Sequence, residues 1–169
     1  MSRALLLLGG NMGDRNNLLA DACILIETKI GRIIKSSSVY ETDPWGFSSD
    51  LPFLNQVVIV DSVLSPKEIL GEIHKIEAQL GRVRFSTGYE ARTMDIDILF
   101  YDDLRVNESD LVIPHPRLHE RRFTLLPLAE IAGDYIHPVL NERLDVLAEE
   151  CSDTSKVVLI EKLKPDNVR

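Results

Sequence analysis

The sequence has little cysteine, little tryptophan and a shortage of positive charge. Its two cysteines, Cys23 and Cys151, stand far apart and fit no zinc or redox spacing. The expected home is a reducing cytoplasm. Tryptophan occurs once, at Trp45. Lys plus Arg number 19 against 27 Asp plus Glu, a net charge of −8. That balance excludes a general nucleic-acid coat, which needs a basic surface to displace counterions. No apolar run approaches the roughly 20 residues of a membrane span. Met1-Ser2-Arg3 followed by Ala4–Leu8 is too short for a signal peptide and predicts a strand. There is no internal repeat and no low-complexity segment.

What is present suits a globular chain. Of 169 residues, 44% are hydrophobic and 27% charged. A chain this long buries roughly 70% of the surface its unfolded form exposes. One domain over residues 1–160 is expected, with 161–169 as a tail. Ala4–Leu8 runs into Gly9-Gly10 as a buried strand entering a tight turn. Leu19, Ala22, Cys23, Ile26 and Ile30 recur at helical spacing, with Asp14 or Asn16 able to cap and Gly31 as the stop. Ile33–Tyr40 and Phe53–Asp61 read as strands, separated by a turn-rich stretch from Thr42 to Asp50. Ser65-Pro66-Lys67-Glu68 carries a capping box with proline at the first helical position. Ile69, Leu70, Ile73, Ile76 and Leu80 form the stripe that follows, and Gly81 ends it. Residues 82–92 have no period and predict a loop. Thr93–Tyr101 alternates as a strand. Pro114, Pro116 and Pro127 are expected to break the later chain into turns and short helices, with one over Leu144–Cys151. Strand, helix, strand, strand, helix, strand is the order of an α+β ferredoxin-like βαββαβ sandwich, an antiparallel sheet with helices packed on it, here followed by short C-terminal helices.

Several residues could carry chemistry. Asp95 and Asp97 share one face of the last strand, with alpha carbons about 6.6 Å apart. Two such carboxylates repel unless a cation lies between them, and hard oxygens suit Mg²⁺. Ile96 and Ile98 on the opposite face predict a central strand. Seven of the 12 arginines lie between residues 82 and 122, a stretch without lysine: Arg82, Arg84, Arg92, Arg105, Arg117, Arg121 and Arg122. Arginine's planar fork binds phosphate oxygens bidentately, so arginines beside two metal-binding carboxylates describe a polyphosphate site. Arg105 and Arg117 read as solvated. The turn from Gly9 to Arg15 follows a strand and precedes a helix, yet lacks the Walker and dinucleotide spacings; it reads as a tight turn and helix cap rather than a phosphate cradle. The Trp45 loop reads equally as a water-excluding lid or a turn pinned by one aromatic. Phe53 and Phe123 could stack on a flat heterocycle, with Asn55 bonding its edge. His115 is a candidate phosphate contact. His74 and Glu77 share one side of the second helix. His137 reads as an ordinary loop residue.

Together these segments resemble a known family. They are Leu8-Gly9-Gly10-Asn11, Ser38-Val39-Tyr40-Glu41-Thr42, Phe53-Leu54-Asn55, Glu77 with Gly81-Arg82-Val83-Arg84, Arg92-Thr93-Met94-Asp95-Ile96-Asp97-Ile98-Leu99, and Pro114-His115-Pro116-Arg117 with Arg121 and Phe123. In order and spacing, over about residues 4 to 131, they look like the 6-hydroxymethyl-7,8-dihydropterin pyrophosphokinases of folate biosynthesis. The resemblance implies a ferredoxin-like fold and transfer of the ATP diphosphate to the pterin hydroxymethyl group, with AMP released. It implies two Mg²⁺ at Asp95 and Asp97, and Arg82 and Arg92 as the catalytic arginines. His74, Glu77, Arg84, Tyr89, Ile98, His115 and Arg121 would bind ATP. Thr42, Trp45, Phe53, Asn55, Asp95 and Phe123 would bind the pterin. Partners would be these small molecules, with no nucleic acid and no membrane, and a monomer is expected. The competing readings are another two-metal nucleotide enzyme, of the cyclase or polymerase-palm kind, and a ferredoxin-like binding module.

Overall fold

The computed structural model describes residues 1–43, 52–81 and 93–161. Strand β1 (Ser2–Gly10) leads into helix α1 (Arg15–Lys29), and then come β2 (Arg32–Ser36), β3 (Val39–Thr42), β4 (Phe53–Ser62) and α2 (Pro66–Gln79). Beyond lie β5 (Asp95–Tyr101), the two-residue strands β6 (Val106–Asn107) and β7 (Val112–Ile113), a 3₁₀ turn at Leu118–Glu120, α3 (Arg122–Ala132), α4 (Leu144–Glu150) and β8 (Val157–Glu161).

The main sheet runs β5-β1-β4-β3-β8, and β2 also pairs with β4. Every pairing in it is antiparallel. β2 and β3 lie along the same side of β4, against Val58–Asp61 and Phe53–Asn55 respectively. The single strand expected over Ile33–Tyr40 is thus two strands in one lane, parted at Ser37 and Ser38. The break is satisfied by side chains: Val57 N–H donates to Ser37 Oγ (2.9 Å) and Gln56 Nε2 to the Ser37 carbonyl (2.9 Å). The extended conformation is as expected and its continuity is not, because those partners are remote in sequence.

Each face of the sheet has its own core. Leu6, Leu8, Val58, Val60, Ile96 and Ile98 meet α1 and α2 through Leu19, Ala22, Ile26, Ile69, Ile73 and Ile76. On the opposite face Leu5, Leu7, Val57, Ile59, Leu99 and Phe100 meet α3 and α4 through Leu125, Leu128, Ile131 and Leu144. The expected caps are present. Asp14 accepts from Asn17 N–H at 3.2 Å, and Ser65 and Glu68 close their box, with Ser65 N–H 2.7 Å from Glu68 Oε2.

Three expectations need correction. Pro127 does not break the chain; it sits inside α3. An interior proline costs about 3 kcal/mol, and burial of Leu125, Leu128 and Ile131 offsets it at roughly 1.5–3 kcal/mol per side chain. β5 is not central but the edge of the sheet path. Its two apolar faces arise because both layers of helices reach it. Finally, β8 pairs with β3, a strand not foreseen after Cys151, and it takes in Glu161, the first residue of the expected tail. The rest of that tail, 162–169, lies outside the described residues.

Glu130 of α3 fastens the β2–β3 break. Its carboxylate accepts from Ser38 N–H (2.8 Å), Ser38 Oγ (2.7 Å) and the Tyr40 hydroxyl. Burial first, and then the Glu130 carboxylate, push the Tyr40 phenol up, so it stays the donor. Glu130→Ala is expected to cost about 2 kcal/mol, since it leaves the buried Ser38 amide without its acceptor. Urea denaturation checks this as a lower midpoint with an unchanged slope.

Candidate active site

One register row crosses four strands. Tyr40 of β3 faces Asn55 of β4, Asn55 faces Gly9 of β1, and Gly9 faces Asp95 of β5. Directly opposed residues project from the same face. Neighbouring strands lie about 4.8 Å apart, so Asn55 and Asp95 stand roughly 10 Å apart with Gly9 between them. With no side chain of its own, Gly9 lets the Asn55 amide lean over the strand: a Cβ there would lie 2.8 Å from Asn55 Oδ1. The row therefore forms a slot with that amide at one wall and a carboxylate at the other. In sequence the glycine turn shows only its local role; its use in the slot follows from cross-strand register, which is not local.

The amide wall is rigid. Asn55 is buried, and its Nδ2 donates to buried Thr42 Oγ1 at 2.9 Å. Phe53, two residues before Asn55, shares its face, and Thr42 is its cross-strand partner. Phe123, the second residue of α3, packs half-buried against the same layer. The Arg121 guanidinium carbon lies 5.7 Å from the Phe123 ring centroid. Thr42, Phe53 and Asn55 stand together at one end of the sheet, and Phe123 packs on the same face. Trp45 lies outside the described residues.

At the carboxylate wall Asp97 follows Asp95 on the same face, one register step along, opposite Leu7. Both are half-buried. Their donors are hard oxygens on one face of the strand, the donor type that suits Mg²⁺, so in chemistry the residues present fit the ion. Two carboxylates do not fill its six positions, which leaves room for phosphate oxygens and water. Arg82, Arg84, Tyr89 and Arg92 fall outside the described residues.

The outer edge of β5 carries the other expected residues. Glu77, buried on α2, accepts Ile96 N–H at 3.1 Å. The two-residue period turns the Ile98 N–H to that same edge. His74, one turn before Glu77, is exposed. Further along, His115 N–H donates to the Leu99 carbonyl at 3.0 Å, bringing His115 to β5. Its Nδ1 accepts Arg117 N–H at 3.2 Å, which leaves the proton of the neutral ring on Nε2. Burial holds His115 down to about 4; Arg121 and then Arg117 push the same way, against the opposing pull of Asp95. At neutral pH it is an uncharged donor. His115 also lines a cavity of about 310 Å³ with His119, His137 and Arg105.

His137 is not the ordinary loop residue expected from sequence. It is buried against the Phe100 ring, centroid to centroid 5.3 Å, and its Nδ1 accepts from Val139 N–H (3.1 Å) and Leu140 N–H (3.0 Å). Burial, then His119 and Arg105, lower it to about 4. An unfolded histidine titrates near 6.5, so between these values the unfolded chain binds a proton that the folded chain refuses. His137 therefore contributes stability in full above about pH 6.5 and loses it as pH falls toward 4. His137→Gln is expected to flatten the stability slope in this window by about one proton. Urea midpoints between pH 7 and 4.5 measure it.

Fold and register together describe an α+β protein that carries a carboxylate pair and a buried asparagine on one face of its sheet. Residues 5–133 match the family model described as 7,8-dihydro-6-hydroxymethylpterin-pyrophosphokinase. The chain belongs to that family. It is 43% identical over 141 residues to the 2-amino-4-hydroxy-6-hydroxymethyldihydropteridine pyrophosphokinase of Porphyromonas gingivalis, covering 82% of this chain and 95% of that protein. The Bacillus subtilis protein of the same name is 41% identical over 129 residues, covering 76% and 77%. Among solved structures, an HPPK-DHPS in complex with substrates superposes with a TM-score of 0.73 at 17% identity, over 88% of this chain and 43% of that one. Plasmodium falciparum HPPK-DHPS with pteroate gives 0.72 at 20%, over 88% and 42%. This chain thus spans under half of those fused proteins, and the likeness to them concerns the fold.

Proposed function

We infer that the chain performs its family's reaction in folate biosynthesis, moving the diphosphate of ATP to the hydroxymethyl group of 6-hydroxymethyl-7,8-dihydropterin. The observation that carries this is the Asn55–Gly9–Asp95 row, a slot ending at a carboxylate pair. Phe53 and Phe123 flank the ring, and Asn55 and the Thr42 backbone meet its polar edge, with Trp45 adding to that side. The hydroxymethyl group points along the slot toward Asp95. Its oxygen bonds to the β-phosphorus, the α–β bridge breaks, AMP leaves and the hydroxyl proton is released.

Asp95 and Asp97 would hold two Mg²⁺. Bound there, the ions neutralise triphosphate charge and orient it for in-line displacement. Arg82 and Arg92 would stabilise charge on the transferring group. The adenosine lies along the open edge of β5, against the Ile98 backbone, His74 and Glu77. Arg84, Tyr89 and Arg121 hold its phosphates and ring, and neutral His115 donates from Nε2. Residues 1–160 act as one domain and a monomer, with a tail beyond β8; the pairing of β8 with β3 supports this extent. The free thiols of Cys23 and Cys151 suit a reducing cytoplasm.

The test is nucleotide separation after incubation with ATP, Mg²⁺ and the pterin alcohol. Pterin-dependent AMP is expected. ADP in its place would overturn the reading.

A further inference from the structure

Arginine at the first position of a helix is poorly placed. The N-terminal end of the helix dipole is positive, and a cation there is disfavoured. Arg15 occupies that position in α1, directly after its Asp14 cap, in a first turn with no acidic residue. Its side chain does not extend into solvent. Nη1 donates to Glu41 Oε2 at 3.0 Å and to the Pro52 carbonyl at 2.9 Å. About two-thirds of each side chain in the Arg15–Glu41 pair is covered, both being 31% exposed.

The two acceptors frame one place. Glu41 precedes Thr42 and Pro52 precedes Phe53, and Thr42 with Phe53 is the last register pair of the β3–β4 ladder. Beyond that pair the described strands share no further ladder bond. One nitrogen of Arg15 ties the two chains together where backbone pairing stops, from a helix on the other layer of the protein.

We propose that Arg15 is a positioning residue for the pterin pocket, holding Thr42 and Phe53, and through Thr42 the Asn55 amide, at their working separation. The inference rests on the pterin slot described above and divides the work of the Gly13-Asp14-Arg15 turn. Asp14 caps the helix, and Arg15 fixes the pocket wall. The effect belongs to pterin affinity, because neither acceptor lies at β5 or near the carboxylate pair.

Steady-state kinetics with both substrates tests this. Arg15→Met is expected to raise KM for the pterin alcohol about tenfold, a loss of roughly 1.4 kcal/mol, with kcat and KM for ATP within about twofold. Arg15→Lys is expected to recover most of it, since one nitrogen makes both bonds. Arg15→Met with Glu41→Gln is expected to be no worse than Arg15→Met alone. Arg3→Met, at the exposed Arg3–Asp61 pair, serves as the surface control. An Arg15→Met enzyme with unchanged pterin KM, or with both KM values raised alike, overturns the inference while leaving the activity intact. A wild-type protein without pterin-dependent AMP formation overturns the site reading and this inference together.

Discussion

Asp97→Asn is expected to lower kcat for AMP formation by about a thousandfold or more, the scale set by removing a preorganised charge from the site of transfer. The substitution keeps the shape of the side chain and removes one negative charge from the pair on β5. Phosphoryl-type transfer depends on positioning and charge neutralisation rather than covalent catalysis, so a lost ion ligand has no chemical substitute. Asp97 is half-buried on the edge strand, opposite Leu7. A thermal melt of the variant beside the assay separates a catalytic loss from misfolding. Initial rates across a Mg²⁺ titration measure the effect: the variant should need far more Mg²⁺ and remain slow at saturation. A variant with wild-type kcat would remove Asp97 from the metal site.

Asn55→Ala should act on the other substrate. Its amide stands in the register row between Tyr40 and Gly9, and it is buried and bonded to Thr42. A site that hydrogen-bonds a substrate edge loses roughly a hundredfold or more when that group goes, so pterin KM should rise by about 10² while KM for ATP holds. Gly9→Ala should move in the same direction more weakly, because its methyl would meet Asn55 Oδ1 at 2.8 Å and displace the amide rather than delete it. Equal effects on both substrates would mean that the row is scaffold and not pocket.

The legible parts of this protein are those with local causes. The capping box at Ser65 and Glu68, the stripe of α2 and the alternation around Asp95 and Asp97 are all readable from neighbours within a few residues, and the structure agrees with each. The shared face of Asp95 and Asp97 follows, since strand period places it. What is hidden depends on distant partners. The break at Ser37 and Ser38 is held by Gln56, Val57 and Glu130. Pro127 survives in a helix because of what that helix buries. Gly9 becomes a slot only when β1 is set between β4 and β5, and the reach of Arg15 to Glu41 and Pro52 has no trace in its own neighbourhood. The edge position of β5 is hidden for a related reason, since apolar residues on both faces of a strand mark coverage by helices as readily as a central place in a sheet.

In the proposed reaction the diphosphate moves as a unit from ATP to the pterin, and ATP carrying a radioactive β-phosphate tests this directly. After incubation with Mg²⁺ and the pterin alcohol, all transferred label is expected in the pterin product and the nucleotide product is expected to be unlabelled AMP, with both formed about a thousandfold more slowly by Asp97→Asn. Label retained in ADP, or released as free pyrophosphate with no labelled pterin, would contradict it.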